Sequence, residues 1–286
     1  AAGAEANSES FEPTLSGDGR WLAFTSSASN LTPGVAGTST VNVYLRDLDS
    51  GAMWLVSANA KGQGVGGSRP MLSESGARLA YYSFAPDLVP GDTNDLWDVF
   101  VYDRAAGTHR RVSLASGGGE RNQGQESRSR VVAPAISGNG RYVAWATTAT
   151  NVVAGDTNGV QDLFVTDLET GAVQWASVGV GGVAGNGDSP VGQGERVSLS
   201  HDGRWVAFTT AATNLGVQAG QVVLRNLDSG LTVPVATPGG TASYVTLSRD
   251  AVAVAFAHTN RLDPRWSASG LFVEHTGVGK SWWWFD

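Results

Sequence analysis

Two loops place oxygen-bearing side chains at the alternate positions that a hard cation requires. The first runs Gly91, Asp92, Thr93, Asn94, Asp95, Leu96, Trp97, Asp98; the second runs Gly155, Asp156, Thr157, Asn158, Gly159, Val160, Gln161, Asp162. Calcium is held by carboxylate and amide-carbonyl oxygens, so Asp92, Asn94 and Asp98, with Asp156, Asn158 and Asp162, are candidate ligands of structural Ca2+. The pattern is a shortened Asp-x-Asn loop that lacks the full ligand series of an EF-hand. An Asx turn, in which Asp92 and Asp156 bond to their own backbone, accounts for the same spacing. An ion here would brace loops and leave catalysis to other groups.

Catalytic arrangements are sparse. No Gly-x-Ser-x-Gly elbow occurs, and His109, His201, His258 and His275 show no metal-ligand spacing. His201 falls in a turn and reads as a surface residue. Residues 62–67 match Gly-x-Gly-x-x-Gly, yet no helix follows to present its amides to a phosphate. The chain has no cysteine, which removes thiolate nucleophiles, disulfides and zinc ribbons together.

Charge and composition exclude further classes. The net charge is −7, with 19 Lys and Arg against 26 Asp and Glu, and no basic stripe exists to displace counterions from nucleic acid. The longest apolar run, 251–257, is far short of the roughly 20 residues needed to span a bilayer. With 41% hydrophobic and 16% charged residues, the chain has the makings of a core. It opens on Ala1, Ala2, Gly3 and Ala4, a small-residue run of the kind found near a signal-peptidase site, so export is the expectation.

The elements that must position these groups are set by a repeat. Ser16, Ser73, Ser137, Ser200 and Ser248 each follow an apolar residue: Leu15, Leu72, Ile136, Leu199 and Leu247. Seven residues on comes alanine, at 23, 80, 144, 207 and 255; eight on comes an aromatic, Phe24, Tyr81, Trp145, Phe208 and Phe256. Each copy reads as four short strands, predicted in the first at 12–15, 21–25, 42–46 and 52–56. Asp, Asn and Gly at 17–20 and 47–51 supply tight hairpin turns, and later copies repeat both. No stretch carries a helical apolar period. Tandem four-stranded units of this length predict an all-β β-propeller of five four-stranded blades. The expected organisation is a tail at 1–9 and one propeller at 10–286, with blades near 10–57, 68–114, 131–178, 195–236 and 243–286. The fifth copy lacks the turn glycine, having Arg249, Asp250, Ala251 and Val252.

The run of an apolar residue, Ser, x, Asp, Gly, Arg and alternating apolars ending in Ala-Phe, at 15–24 and again at 199–208, resembles the TolB-like β-propeller repeats of bacterial exported proteins. The resemblance covers nearly the whole chain and implies the propeller fold, with function left at the level of a fold analogy. Familiar members close with six or seven blades, whereas five anchors occur here.

All long loops, including 31–41, 88–97, 115–129, 152–161 and 178–194, fall on the face where each first strand begins, and ligands are expected there. On that face the residues four before each anchor, Glu12, Arg69, Ala133, Arg196 and Tyr244, should ring the channel mouth and could hold a small polar ligand or a peptide terminus. Trp282, Trp283, Trp284 and Phe285 close the last blade, as edge cover or as a docking patch for a partner. The leading expectation is a non-enzymatic exported propeller that binds or scaffolds a protein, or a glycan, through its long-loop face. Two other readings stand beside it. One is a carbohydrate-active enzyme, for which carboxylates such as Glu12 and Glu195 would converge at the mouth; the other is a structural subunit of a surface assembly.

Overall fold

The computed structural model describes residues 5–33, 40–123, 132–191, 196–235, 241–259 and 270–275, with side chains as far as residue 257. Five antiparallel sheets follow one another along the chain. The first contains β1 (Ser10–Leu15), β2 (Trp21–Ser26), β3 (Asn42–Asp47) and β4 (Met53–Leu55), and the second β5 (Ser68–Leu72), β6 (Arg78–Ser83), β7 (Asp98–Asp103) and β8 (Thr108–Arg111). The third has β9 (Ala135–Ile136), β10 (Tyr142–Thr147), β11 (Asp162–Asp167) and β12 (Val173–Trp175). The fourth has β13 (Ser198–Leu199), β14 (Trp205–Thr210), β15 (Gln221–Asn226) and β16 (Thr232–Pro234). Of the fifth, β17 (Thr241–Leu247), β18 (Ala253–Thr259) and β19 (Gly270–His275) are described. The only helical segment among the described residues is a three-residue 3-10 turn, Val180–Gly182. The expected five-bladed all-β propeller is therefore the observed one.

The anchor serine ties off each first hairpin. In four copies its hydroxyl donates to the turn Asp or Asn two residues on, from Ser16 to Asp18, Ser137 to Asn139, Ser200 to Asp202 and Ser248 to Asp250; the second copy has Ser75 there. The same hydroxyl accepts the backbone N–H five residues on, from Trp21, Arg78, Tyr142, Trp205 and Ala253. One side chain thus satisfies the turn and starts the second strand.

Alternation on that strand then builds the core, because successive side chains face opposite sides of the sheet. Tyr81 packs back among Trp21, Val43 and Leu45 of the first blade, while its neighbour Ala80 faces the third blade with Val143 and Phe164. Trp145 and Ala144, then Phe208 and Ala207, repeat the arrangement one blade later each time. A large residue reaches backward and a small one admits the next blade's aromatic. Four apolar clusters result, one for each of the four successive blade junctions among the described residues.

The turn glycine serves the same junctions. Gly76 and Gly203 have φ of 64° and 74° and lie flat on the rings of Trp21 and Tyr142, where a Cβ would come within 2.5 Å and 2.1 Å of ring atoms. The fifth copy keeps this backbone without the glycine: Ala251 has φ 58°. A left-handed non-glycine residue costs roughly 1–2 kcal/mol, and glycine gives part of that back as unfolded-state entropy. Ala251→Gly should therefore raise stability by about 0.5–1 kcal/mol. The readout is the urea midpoint at unchanged m-value, and a lowered midpoint would contradict the account.

Candidate functional site

The tight-turn end of the axis gathers charge that the sequence reading left at the surface. The residue after each anchor serine is Gly17, Glu74, Gly138, His201 or Arg249. Backbone bonds stitch these turns together around the axis: Gly17 N to Glu74 O (2.7 Å), Glu74 N to Gly138 O (3.0 Å), Asn139 N to His201 O (2.9 Å) and His201 N to Arg249 O (2.8 Å). Glu74, from the second blade, accepts at Oε2 from Nδ1 of His201 in the fourth and, at 3.2 Å, from Nε of Arg249 in the fifth. The His201 bond, with help from the Arg249 charge, holds the Glu74 carboxyl below its ordinary range. Because a carboxylate can only accept, Nδ1 carries the proton and Nε2 of His201 is left facing Nη2 of Arg249 at 3.5 Å. A Cβ on Gly138 would lie 2.4 Å from His201 Nδ1, and one on Gly17 2.4 Å from Glu74 Cγ. Two glycines in the ring make room for three polar side chains.

A depression of about 320 Å³ lies here, lined by the triad, both glycines and the apolar collar Leu72, Ile136 and Leu199. A second, of about 470 Å³, adds Asp18, Ser75 and Asn139. His201 is thus corrected from a surface turn residue to a member of an axial cluster, and the tight-turn face carries more than turns. Sequence offered one signal for it: equal positions of a radial repeat meet at the axis, so position one after the anchor should be read as a set. Of the other histidines, His109 is half-buried against Tyr81 and Tyr102, and the loss of solvent pushes its ring down to about 4.

At the long-loop end, the structure brings the expected mouth residues together in pairs. Arg69 N donates to Glu12 Oε2 at 2.7 Å, joined by Thr25 Oγ1 at 3.2 Å, and Ala133 bridges Arg196 as neighbouring parallel backbone. Glu12, Arg69 and Tyr244 share a left-handed backbone, with φ of 55°, 56° and 54°. Each sits in a register shift of its first strand, between Phe11 and Thr14, Ser68 and Met71, and Ser243 and Thr246. These are β-bulges, which re-aim side chains. Nε of Arg69 is buried without a hydrogen-bond partner among the described residues. Trp282, Trp283, Trp284 and Phe285, the expected docking strand, lie outside the described residues.

The two Asp-x-Asn loops differ in what neutralises them. In the second blade Arg111 Nη1 lies 2.6 Å from Asp92 and 3.5 Å from Asp98, Arg111 Nη2 is 2.6 Å from Glu120, and Arg121 Nη2 is 2.8 Å from Asp98. Asn94 gives its amide N–H to Glu120 at 2.8 Å. Arginine stands here where a cation would, so these groups do not fit calcium. In the third blade the register places Trp175 where Arg111 stands in the second. Asp162 accepts from Asn158, Trp175 and Ser177, and Asp156 is pushed up to about 6 by burial and by the Asp162 charge. Among the described residues no three His, Cys, Asp or Glu side chains are grouped to hold a metal. Calcium stays a proposal for the third-blade loop alone, where the buried charge fits an ion and the donating Asn158 amide does not.

No known family's sequence pattern matches the chain, and no curated protein matches it in sequence. Solved structures do match in shape. TolB from Acinetobacter baumannii superposes with a TM-score of 0.50 at 16% identity, over 84% of this chain and 47% of that one, so the chain spans about half of that relative. A putative TolB from Agrobacterium tumefaciens gives 0.55 at 16% identity, over 96% and 80%. The β-propeller domain of the Trilobed protease from Pyrococcus furiosus gives 0.58 at 10% identity, over 99% and 72%. Dipeptidyl peptidase 4 from Porphyromonas gingivalis and an oligogalacturonate lyase, at 12% and 13% identity, share the fold as well. The expectation of a non-enzymatic scaffolding module is corrected by these neighbours: peptidases and a lyase are built on the same frame, so the fold gives no ground for setting catalysis aside. No helix among the described residues is long and apolar enough to cross a membrane. The chain has a five-bladed β-propeller fold similar to that of TolB.

Proposed function

We propose that the propeller binds a small, polar, acidic ligand at the long-loop mouth of its axis, with Arg69 and Arg196 as the groups that take its charge. The observation that carries this reading is the shared left-handed backbone of Glu12, Arg69 and Tyr244. Strain of that kind costs roughly 1–3 kcal/mol per residue and persists where surrounding structure imposes it, most often at ligand clamps and active sites. The buried Nε of Arg69, without a hydrogen-bond partner among the described residues, supports the same reading, since a donor removed from water is costly until something accepts from it. Arg196 is exposed at the bridged neighbour position and adds a second positive charge. The hydrolytic and lytic activities of the fold neighbours are theirs; ligand capture at the axis is the step proposed here.

Calorimetric titration with citrate tests the reading. Arg69→Met and Arg196→Met should each weaken citrate binding at least tenfold, as the loss of one charged hydrogen bond of about 1.5–3 kcal/mol implies. Citrate binding that neither substitution changes would overturn it. Export belongs to the same proposal, and fractionation that leaves the chain in the cytosol would remove it.

A further inference from the structure

The tight-turn end of the axis is a second, separate site by its chemistry. Three polar side chains from three blades meet over an apolar collar, and pockets that combine an apolar wall with a few convergent polar groups are what small-molecule sites look like. Glu74 is already engaged by His201 and Arg249. Asp18 is engaged within its own turn, accepting from Ser16 Oγ and Arg20 N. Neither carboxylate is left to repel an anion at full strength. What remains open to solvent is the outer edge of the Arg249 guanidinium, on a side chain 68% exposed, with Nε2 of His201 beside it held only by a long 3.5 Å contact to Nη2 of Arg249. An acceptor lying between those two nitrogens would be bridged by both. Leu72, Ile136 and Leu199 then offer an apolar wall on the collar side.

We propose that this end of the axis binds a small carboxylate with an apolar body, the carboxylate bridging Arg249 and His201 Nε2 and the body resting on Leu72, Ile136 and Leu199. Glu74 holds Nδ1, so the ligand meets the ring at its Nε2 edge, and the Arg249 guanidinium beside it supplies the charge that recognises a carboxylate. The charged groups facing His201 are Glu74 from the β5–β6 turn, Arg249 from the β17–β18 turn and Asp18 from the β1–β2 turn. The β9–β10 turn contributes only Gly138 and Asn139. The site does not depend on the mouth proposal, since Arg69 lies at the other end of the first strand.

Benzoate is a suitable probe, with benzyl alcohol as its uncharged counterpart. Titration calorimetry of the whole chain at pH 6 should show saturable binding of one benzoate per chain. Benzyl alcohol should bind at least tenfold more weakly than benzoate at pH 6. Arg249→Met should abolish binding, and His201→Gln should weaken it several-fold. Arg249→Met should melt as wild type does, because an exposed pair contributes little to stability. Arg69→Met should leave benzoate binding unchanged. The proposal is overturned if benzoate does not bind, if Arg249→Met leaves its affinity intact, or if Arg69→Met is the substitution that removes it.

Discussion

Arg121→Met is expected to destabilise the protein by about 3–5 kcal/mol, the loss typical of breaking a buried charge pair from one side. The arginine side chain is 2% exposed and its donors are all engaged. Nε binds Ser113 O at 2.8 Å, Nη1 binds Thr147 Oγ1 at 2.9 Å, and Nη2 binds Trp97 O at 3.0 Å and Asp98 Oδ1 at 2.8 Å. Methionine fills the volume but leaves the fully buried Asp98 with one serine hydroxyl and the more distant Arg111. Arg20 is the contrast, because its pair with Asp47 is nearly as short at 2.9 Å but its side chain is 47% exposed. Arg20→Met should leave the urea midpoint close to that of wild type. The first blade also indicates a rescue. Asn42 occupies the strand position of Asp98 and accepts the equivalent serine, Ser57, at 3.0 Å. Adding Asp98→Asn to Arg121→Met should restore a large part of the loss, as coupled neighbours in one network do. Urea unfolding of the two single variants and the double variant measures this directly. A loss below about 1 kcal/mol for Arg121→Met, or equal losses for single and double variants, would show that the pair is not what holds the loop.

What could be read from the sequence was whatever recurs locally. The anchor serine, the turn that follows it and the Ala–aromatic pair lie within eight residues of each other, and each copy repeats the signal, so strands and blade count followed. The bulge at Glu12, Arg69 and Tyr244 was half legible: the repeat position was visible, whereas the left-handed backbone that distinguishes it was not. The axial triad was hidden for a different reason. Glu74 meets His201 across 127 positions and Arg249 across 175, and the shared repeat position holds Gly, Glu, Gly, His and Arg, which looks like drift along the chain and becomes a cluster only once the ring is formed. The second-blade Asp-x-Asn loop shows the opposite case. Its carboxylates were local and obvious, but the countercharge of the loop comes from Arg111 and Arg121, 19 residues beyond Asp92 and 23 beyond Asp98. A ligand pattern records only negative groups, so it cannot distinguish a metal site from a completed ion-pair network.

The third-blade loop tests that distinction, and Asp156→Asn is expected to stabilise the protein at neutral pH. Asp156 is 4% exposed, no Lys, Arg or His pairs with it among the described residues, and burial beside Asp162 raises its pKa to about 6. A carboxyl whose folded pKa lies above its unfolded value binds protons preferentially in the folded chain. Stability therefore falls as pH rises through the window from about 4 to 6, and the penalty stands in full above it. A rise of that size corresponds to about 2–3 kcal/mol. Asparagine keeps a carbonyl to accept from the backbone N–H of Asn158 and cannot ionise. The variant should thus gain up to about 2–3 kcal/mol over wild type at pH 7.5, gain nothing near pH 4, and show a flatter stability profile between them. Calcium reverses the sign. Were the ion bound at Asp156, the ionised carboxylate would be stabilising at pH 7.5, chelator would lower the wild-type melting temperature, and Asp156→Asn would cost stability. Chemical denaturation of both proteins at the two pH values, with calcium and with chelator, separates the outcomes. A variant less stable than wild type in calcium, with the difference abolished by chelator, would replace the unpaired carboxylate by a metal ligand.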